Sequence, residues 1–182
     1  ATLGKENVIT QAFEYARLNR KKVHFIGLVS DGGVHSHINH LKGLLSAAHE
    51  YGLNDDVYVH AFTDGRDCDP HSGKGFIAEI LDHMKLTTGK LASVTGRYYA
   101  MDRDKRWERV KLAYDALVKG IGETNQDILA TFDNCYNDGI TDEFLRPIIC
   151  IKESNLPVTK IENDDVVFCF NFRTDSGREI TD

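Results

Sequence analysis

Short apolar runs alternate with amphipathic segments along almost the whole chain, and this alternation is the feature that most constrains the fold. The run from Val23 to Val29 carries aliphatic side chains on both faces of the strand that it predicts, so both faces must be buried. Further strands are predicted at 57–63, 91–95, 148–151 and 166–172, and helices at 5–20, 38–51, 73–87, 104–119 and 125–137. The sequence therefore predicts an α/β fold: a three-layer sandwich whose mainly parallel sheet of about five or six strands is flanked by helices.

The composition limits both the domain organisation and the kinds of partner. With 182 residues, 41% apolar and 27% charged, the chain can bury one core, and we expect a single domain over residues 1–182. It carries 28 acidic against 22 basic side chains, a net charge of −6, which argues against a general nucleic-acid or membrane surface.

The four cysteines form no CxxC pair, so they predict reduced thiols. No apolar run approaches the roughly 20 residues of a membrane span and the N-terminal residues are too polar for a secretory signal, so we expect a cytoplasmic protein.

Arginines and glycines follow the predicted strands at the points where the strands end. The segments are 30–37, 63–67, 95–104 and 171–176. Because the carboxyl ends of parallel strands meet at one edge of a sheet, ligands bind there. Four arginines and one histidine are therefore expected to converge on one crevice: Arg66, Arg97, Arg103, Arg173 and His35. The planar fork of arginine binds carboxylate and phosphate oxygens in pairs, so the sequence predicts a site for a small ligand with several negative charges.

A purely structural role for these arginines competes with that site. The carboxylates close to them in sequence are Asp67, Asp102 and Asp104. For any single arginine, a salt bridge to one of these is the more ordinary role. The topology nevertheless sends all four arginines to the same edge, which favours a ligand site for the set.

Three closely spaced histidines suggest a metal site as a further alternative. His37 and His40 are expected at the start of a helix, facing solvent or capping it, and His35 is expected to handle a proton or a phosphate. The stronger rival is a self-contained metallohydrolase built on His35, Asp64, Asp67 and His71. A nucleotide-binding domain is disfavoured because neither Gly-x-Gly-x-x-Gly nor a Walker-type lysine loop follows the first strand.

Several other residues have ordinary structural interpretations. His24 and His60 are interpreted as strand residues. Cys150 and Cys169 are interpreted as core filling, and Trp107 as part of a helix packing face. None of them is expected to contribute to the binding site.

Five strings of the sequence, in this order, resemble the cofactor-independent (2,3-bisphosphoglycerate-independent) phosphoglycerate mutases. They are 27–37 (GLVSDGGVHSH), 64–67 (DGRD), 96–104 (GRYYAMDRD) followed by 107–109 (WER), 141–144 (TDEF) and 171–173 (NFR). Enzymes of that family have two domains: an alkaline-phosphatase-like domain with two manganese ions and the serine nucleophile, and a phosphotransferase domain inserted into it. The resemblance implies that this chain is the inserted phosphotransferase, or substrate-binding, domain alone, excised from an enzyme whose phosphatase-like domain is absent.

The resemblance also implies a role for each residue of the predicted site. The contacts to 3-phosphoglycerate and 2-phosphoglycerate would be His35, Arg66, Asp67, Arg97, Arg103 and Arg173. Asp67 would in addition be the catalytic residue that takes and returns the proton of the substrate hydroxyl, while the serine of the other domain carries the phosphoryl group. Both manganese ions are expected on the absent domain and no metal on this chain, so the isolated chain is expected to be inactive. The phosphatase-like domain is the expected protein partner, and the glycolytic enzyme is expected to be a monomer.

The chain departs from the family pattern at Ser176. The family has a further arginine at this position, three residues after Arg173. One contact to phosphoglycerate is therefore expected to be missing or substituted, and whether Arg178 supplies it stays open.

Overall fold

The computed structural model describes residues 6–173 and 177–181. The strands of this part are β1 (Val23–Leu28), β2 (Val57–Thr63), β3 (Lys90–Gly96), β4 (Glu123–Asn125), β5 (Ile148–Cys150) and β6 (Val166–Cys169). The helices are α1 (Asn7–Asn19), α2 (Ile38–Glu50), α3 (Gly73–Leu86), α4 (Arg97–Ala100), α5 (Trp107–Lys119) and α6 (Ile128–Asn137), with a 3₁₀ helix at Asp142–Phe144. In the part of the chain just given, no helix combines the length and apolar character needed to cross a bilayer.

The strands form one sheet in the order β4-β5-β3-β2-β1-β6. The four strands β6, β1, β2 and β3 run parallel. β5 pairs antiparallel with β3, and β4 pairs parallel with β5. The predicted α/β fold with a mainly parallel sheet is confirmed, and the parallel strands direct their carboxyl ends to one edge.

Alternate residues of the central strands face two different helical layers. On one face Phe25 of β1 belongs to the same core as Phe13 of α1 and Leu41 of α2. On the other face Ile26 of β1 shares a smaller core with Ala113 of α5. Helices therefore cover both faces of the sheet, which is the predicted three-layer arrangement.

The sheet also differs from the prediction at two strands. The sequence does not predict β4, because its three residues are polar and mostly exposed and carry no apolar pattern; pairing with β5 is what makes them a strand. The helix predicted from 125 begins at Ile128, after the side chain of Asp127 accepts a hydrogen bond from the Ala130 N–H at 3.1 Å. The last strand stops at Cys169 rather than 172, and the side-chain oxygen of Asn171 instead accepts from the Leu28 N–H at 2.9 Å.

The helix predicted over 104–119 begins three residues late, and the sequence did not predict the short helix α4 that precedes it. α4 follows β3 directly, and α5 begins only at Trp107. The predicted place of Trp107 in a packing face is wrong, since 52% of it is exposed; the buried face of α5 is formed by residues such as Val110. Cys169 is exposed rather than core filling, whereas Cys150 is half-buried against the core.

Candidate functional site

A cleft of about 450 Å³ lies at the edge where the parallel strands end. All six residues predicted for the site line it: His35, Arg66, Asp67, Arg97, Arg103 and Arg173. They come from the segments that follow β1, β2, β3 and β6. The strand topology therefore brings together residues that lie more than a hundred positions apart in the sequence.

Arg97, the first residue of α4, lines this cleft with 10% of its side chain exposed. Its Nη1 donates to Asp64 Oδ1 at 2.6 Å and to Asp67 Oδ2 at 2.7 Å. Its Nη2 donates to His35 Nε2 at 2.9 Å, so Nε2 is the unprotonated ring nitrogen. Burial opposes the charge of Arg97, but the hydrogen bonds to Asp67 and Asp64 outweigh it and raise the pKa of Arg97. The guanidinium is thus a fixed cation that faces the open cleft.

Asp64 is the buried partner of Arg97 and is 1% exposed. Its Oδ2 accepts from Ser30 Oγ at 2.7 Å, and its Oδ1 accepts from the backbone N–H groups of Asp67 at 3.0 Å and Arg66 at 3.2 Å. Burial would raise the pKa of Asp64, but the hydrogen bonds from Asp67, Ser30 and Arg97 hold it below its usual value. The carboxylate therefore stays ionised and sets the turn that presents Arg66 and Asp67.

The 3₁₀ helix at Asp142–Phe144 and the following Leu145 pack tightly against the two arginine-bearing turns. A Cβ on Gly65, whose φ is +67°, would lie 2.9 Å from the Glu143 backbone nitrogen, and a Cβ on Gly96 would lie 2.4 Å from the Glu143 carbonyl oxygen. The Gly96 N–H also donates to the Leu145 carbonyl at 2.8 Å. Glycine at both turns permits this close approach, which places Glu143 Oε1 3.8 Å from Nη1 of the mostly exposed Arg66.

Asp142 holds that segment in place from inside the protein. Its buried carboxylate accepts from the Gly73 N–H at 2.7 Å and from the Tyr136 hydroxyl at 2.5 Å, and its carbonyl accepts from Thr63 Oγ1 at 2.7 Å. Burial raises the pKa of Asp142. Sequence reasoning assigned it no role, and its only signal there was membership of the string 141–144.

The turn between α4 and α5 also contributes to the lining of the cleft. Asp102 Oδ2 accepts from the Arg106 N–H at 2.9 Å, and Asp102 Oδ1 lies 3.6 Å from Arg109 Nη1. The guanidinium carbon of Arg109 lies 3.8 Å from the centre of the Tyr98 ring. Arg106 and Arg109 also line the cleft; sequence reasoning did not single them out, although Arg109 ends the string 107–109.

The ion pairs differ from those that the structural alternative proposed. Arg97 does pair with Asp67, which is next to Arg66 in sequence. The second carboxylate that Arg97 contacts is Asp64, which is 33 positions away. Asp102 lies near Arg109. Counted over the described residues, the lining holds six arginines and four carboxylates. A chain with a net charge of −6 therefore carries a local excess of cations at this edge, which suits an anionic ligand.

The arrangement disfavours the metallohydrolase alternative. His35, Asp64 and Asp67 do meet, but the guanidinium of Arg97 lies within hydrogen-bond distance of all three and occupies the position that a shared metal would need. The fourth proposed ligand, His71, is exposed and packs edge-on against the Tyr136 ring at 4.7 Å. Over 6–173 and 177–181, no group of three His, Cys, Asp or Glu side chains is placed to hold a metal ion.

Two other predicted features have different outcomes. His37 caps α2, since its Nδ1 accepts from the Asn39 N–H at 3.2 Å. The sequence predicts that His37 either caps the helix or faces solvent. Ser176, where the sequence departs from the family pattern, lies outside the described residues. The buried His24 and His60 are hydrogen-bonded to each other at 3.0 Å, a contact that the strand pattern does not reveal.

Comparison with known proteins gives one consistent result. A family model described as "BPG-independent PGAM N-terminus" matches residues 1–182. The 2,3-bisphosphoglycerate-independent phosphoglycerate mutase of Flavobacterium johnsoniae is 57% identical over 181 residues, which is 100% of this chain and 36% of that protein. The enzyme of the same name from Parabacteroides distasonis is 53% identical over 180 residues, 99% of this chain and 35% of that protein.

A solved structure agrees with the sequence comparisons. Phosphoglycerate mutase of Leishmania mexicana, crystallised at low cobalt concentration, superposes with a TM-score of 0.88 at 30% identity. The match covers 98% of this chain and 35% of that one. The chain thus spans about a third of the length of the relatives that it matches.

Proposed function

Since this chain belongs to the BPG-independent phosphoglycerate mutase N-terminus family, we propose that it is the substrate-binding, phosphotransferase domain of a mutase that interconverts 3-phosphoglycerate and 2-phosphoglycerate. The observation that carries the proposal is the arginine cleft at the carboxyl edge of the sheet. A phosphoglycerate has a carboxylate and a phosphoryl group within a few bonds, and arginine forks suit both.

We assign the roles within the cleft from the contacts of each side chain. Arg97, held by two carboxylates and His35, is a fixed cation against which a ligand anion can be oriented. Arg66 is largely exposed, with 64% of its side chain accessible, so it is free to turn toward the ligand. Arg103 and Arg173 face the same space and would hold the remaining oxygens while the glycerate reorients. Accurate positioning of both hydroxyl oxygens is what an in-line phosphoryl transfer demands.

Asp67 is the residue that we propose for proton transfer. Its Oδ2 accepts from Arg97 at 2.7 Å and lies 3.7 Å from His35 Nε2. It is partly exposed to the cleft, unlike the buried Asp64. A carboxylate at this place can accept the hydroxyl proton of glycerate and return it to the other oxygen.

The remainder of the enzyme is proposed from the family. The serine that carries the phosphoryl group and the two manganese ions would reside on a phosphatase-like domain, which would close on the cleft. The ions would supply Lewis-acid activation there. We further propose a monomeric, cytoplasmic enzyme without nucleic-acid or membrane contacts; the four free cysteines are typical of a reducing compartment.

The test uses the full-length enzyme that contains this chain, supplied with Mn²⁺. Conversion of 3-phosphoglycerate to 2-phosphoglycerate is measured for the parent, for Arg66→Ala and for Arg146→Ala, an exposed arginine outside the cleft. Loss of one charge-assisted hydrogen bond is expected to raise KM for Arg66→Ala roughly 10-fold or more, with Arg146→Ala unchanged. A parent without turnover, or equal KM values for both variants, would refute the proposal.

A further inference from the structure

Asp64 is the charged group of the site that a ligand cannot reach. It is 1% exposed and does not line the cleft, whereas Asp67 and Arg97 do. The resemblance assigns it no substrate contact. Its carboxylate is nevertheless saturated with hydrogen bonds, since two backbone N–H groups, Ser30 and Arg97 all donate to it. So many donors around one buried carboxylate fix its orientation.

The hydrogens of Arg97 are divided unequally among its partners. Nη1 has two hydrogens, and these are directed at Asp64 and Asp67. One hydrogen of Nη2 is directed at His35. The second hydrogen of Nη2 and that of Nε are then available to an anion in the cleft. A ligand hydroxyl that binds Asp67 competes with Arg97 for the same carboxylate. Arg97 therefore needs a second carboxylate partner while the ligand is bound.

Asp64 is that partner. We propose that Asp64 is a positioning residue, which holds Arg97 in the cleft through a buried charge-assisted hydrogen bond so that Asp67 can leave Arg97 and engage the substrate hydroxyl. This inference rests on the proposed function for the identity of the substrate. The Asp64–Arg97 contact is 2.6 Å long and shielded from water, so it is strong in the way that exposed ion pairs are not.

Ser30 in turn orients the Asp64 carboxylate. It follows β1 as Asp64 follows β2, and the two strands are neighbours in the sheet. Its Oγ donates to Asp64 Oδ2, the oxygen that Arg97 does not use. Ser30→Ala therefore removes an orienting hydrogen bond while leaving the charge, and it is expected to produce a smaller effect in the same direction as the loss of Asp64.

A double-mutant cycle in the full-length enzyme separates positioning from general destabilisation. Four proteins are compared: the parent, Asp64→Asn, Arg97→Ala and the double variant. Asp64→Asn is expected to raise KM for 3-phosphoglycerate roughly 10-fold in the parent. In the Arg97→Ala background the same change is expected to have less than about a 2-fold effect, because the residue through which Asp64 acts is gone. An equal factor in both backgrounds would overturn the inference.

Asp142→Asn is the matched control, because it also neutralises a buried carboxylate but contacts Gly73 and Tyr136 rather than Arg97. Its effect is expected to be the same with and without Arg97. If Asp64→Asn does not fold, as judged by circular dichroism, Ser30→Ala replaces it in the cycle with the same criterion.

A second readout keeps this inference distinct from the proposed function. Affinity for inorganic sulfate is measured by calorimetry at low salt for the same four proteins. If the parent fails to convert phosphoglycerate, the proposed function falls, but the sulfate cycle still decides whether Asp64 acts through Arg97. Sulfate affinities that lose the same factor on Asp64→Asn in both backgrounds would overturn the positioning role.

Discussion

We expect this chain to lose stability as the pH falls from 6.5 to 5, because two neutral histidines are buried in the middle of the sheet. His24 and His60 are 0% and 1% exposed. Asp165 Oδ2 lies 3.1 Å from His24 Nε2, His24 Nδ1 lies 3.0 Å from His60 Nε2, and His60 Nδ1 lies 2.8 Å from Ser93 Oγ. The ionised Asp165 can only accept, so each histidine donates from Nε2 and accepts at Nδ1. Neither ring has a place for a second proton.

The size of the effect follows from the pKa of His60. Burial, together with the adjacent His24 and Lys22, lowers the pKa of His60 from 6.5 to about 3. A histidine whose pKa is depressed in the folded state binds its proton only after unfolding, so its contribution to stability is complete above pH 6.5 and is lost as the pH falls toward 3. One pH unit corresponds to about 1.4 kcal/mol. Lowering the pH from 6.5 to 5 is therefore expected to reduce the free energy of unfolding by about 2 kcal/mol, and lowering it to 3 by up to roughly 5 kcal/mol. Burial lowers the pKa of His24 as well, which acts in the same direction.

Carboxylates do not cause a loss of stability in this window. Burial raises the pKa of Asp142, so its protonation as the pH falls favours the folded state and opposes the loss. The pKa values of Asp64 and Asp165 are depressed in the folded state, with burial opposed by hydrogen bonds. A depressed carboxyl pKa gives stability that is lost only below the unfolded value of about 4. A loss between pH 6.5 and 5 therefore reports on histidines.

The assay is urea denaturation followed by circular dichroism at several pH values from 7.5 to 5. In His60→Gln the dependence of the unfolding free energy on pH is expected to fall by about one proton, roughly 1.4 kcal/mol per pH unit. The exposed His49 supplies the control, and His49→Gln should keep the slope of the parent. A parent whose stability is flat from pH 6.5 to 5, or a His60→Gln variant whose slope equals that of the parent, would refute the reasoning.

Three further predictions concern the glycine turn, the activity of the isolated chain and the salt dependence of its anion binding. Gly96→Ala is expected to destabilise the fold by roughly 1 to 3 kcal/mol, since its Cβ would lie 2.4 Å from a backbone oxygen. Gly75→Ala in α3, where a Cβ meets nothing within 4 Å, should instead stabilise the fold by up to about 1 kcal/mol. Thermal unfolding in which Gly96→Ala is the more stable of the two variants would contradict the close approach at Gly96. The 182-residue chain alone, even with Mn²⁺, is expected to show no mutase activity in an enzyme-linked assay, because the serine is proposed to lie on another domain. Its binding of sulfate should weaken steeply from low to physiological salt, where charges are screened over about 8 Å, and salt-independent binding would speak against the arginine cleft.

The amino-acid sequence determined the fold class and the edge at which the site lies. Both follow from properties that are local in the chain. Apolar runs such as Val23–Val29 predict strands buried on two faces, and helices alternate with them. Parallel topology then sends the residues after each strand to the same edge, which is why Arg97 and Arg173 could be placed in one crevice before any contact was known.

The tertiary structure alone decided which partners these residues have. β4 is polar and forms a strand because it pairs with β5, so no pattern of side chains predicts it. Asp64 contacts Arg97, 33 positions away, and His24 contacts His60, 36 positions away. Such contacts depend on which strands become neighbours and on the register between them, and hydrogen bonds form only when both groups arrive within about 3 Å. Spacing in the sequence identifies candidate ionisable groups, but the packed sheet determines which of them are paired, which are neutral and which are left facing the cleft.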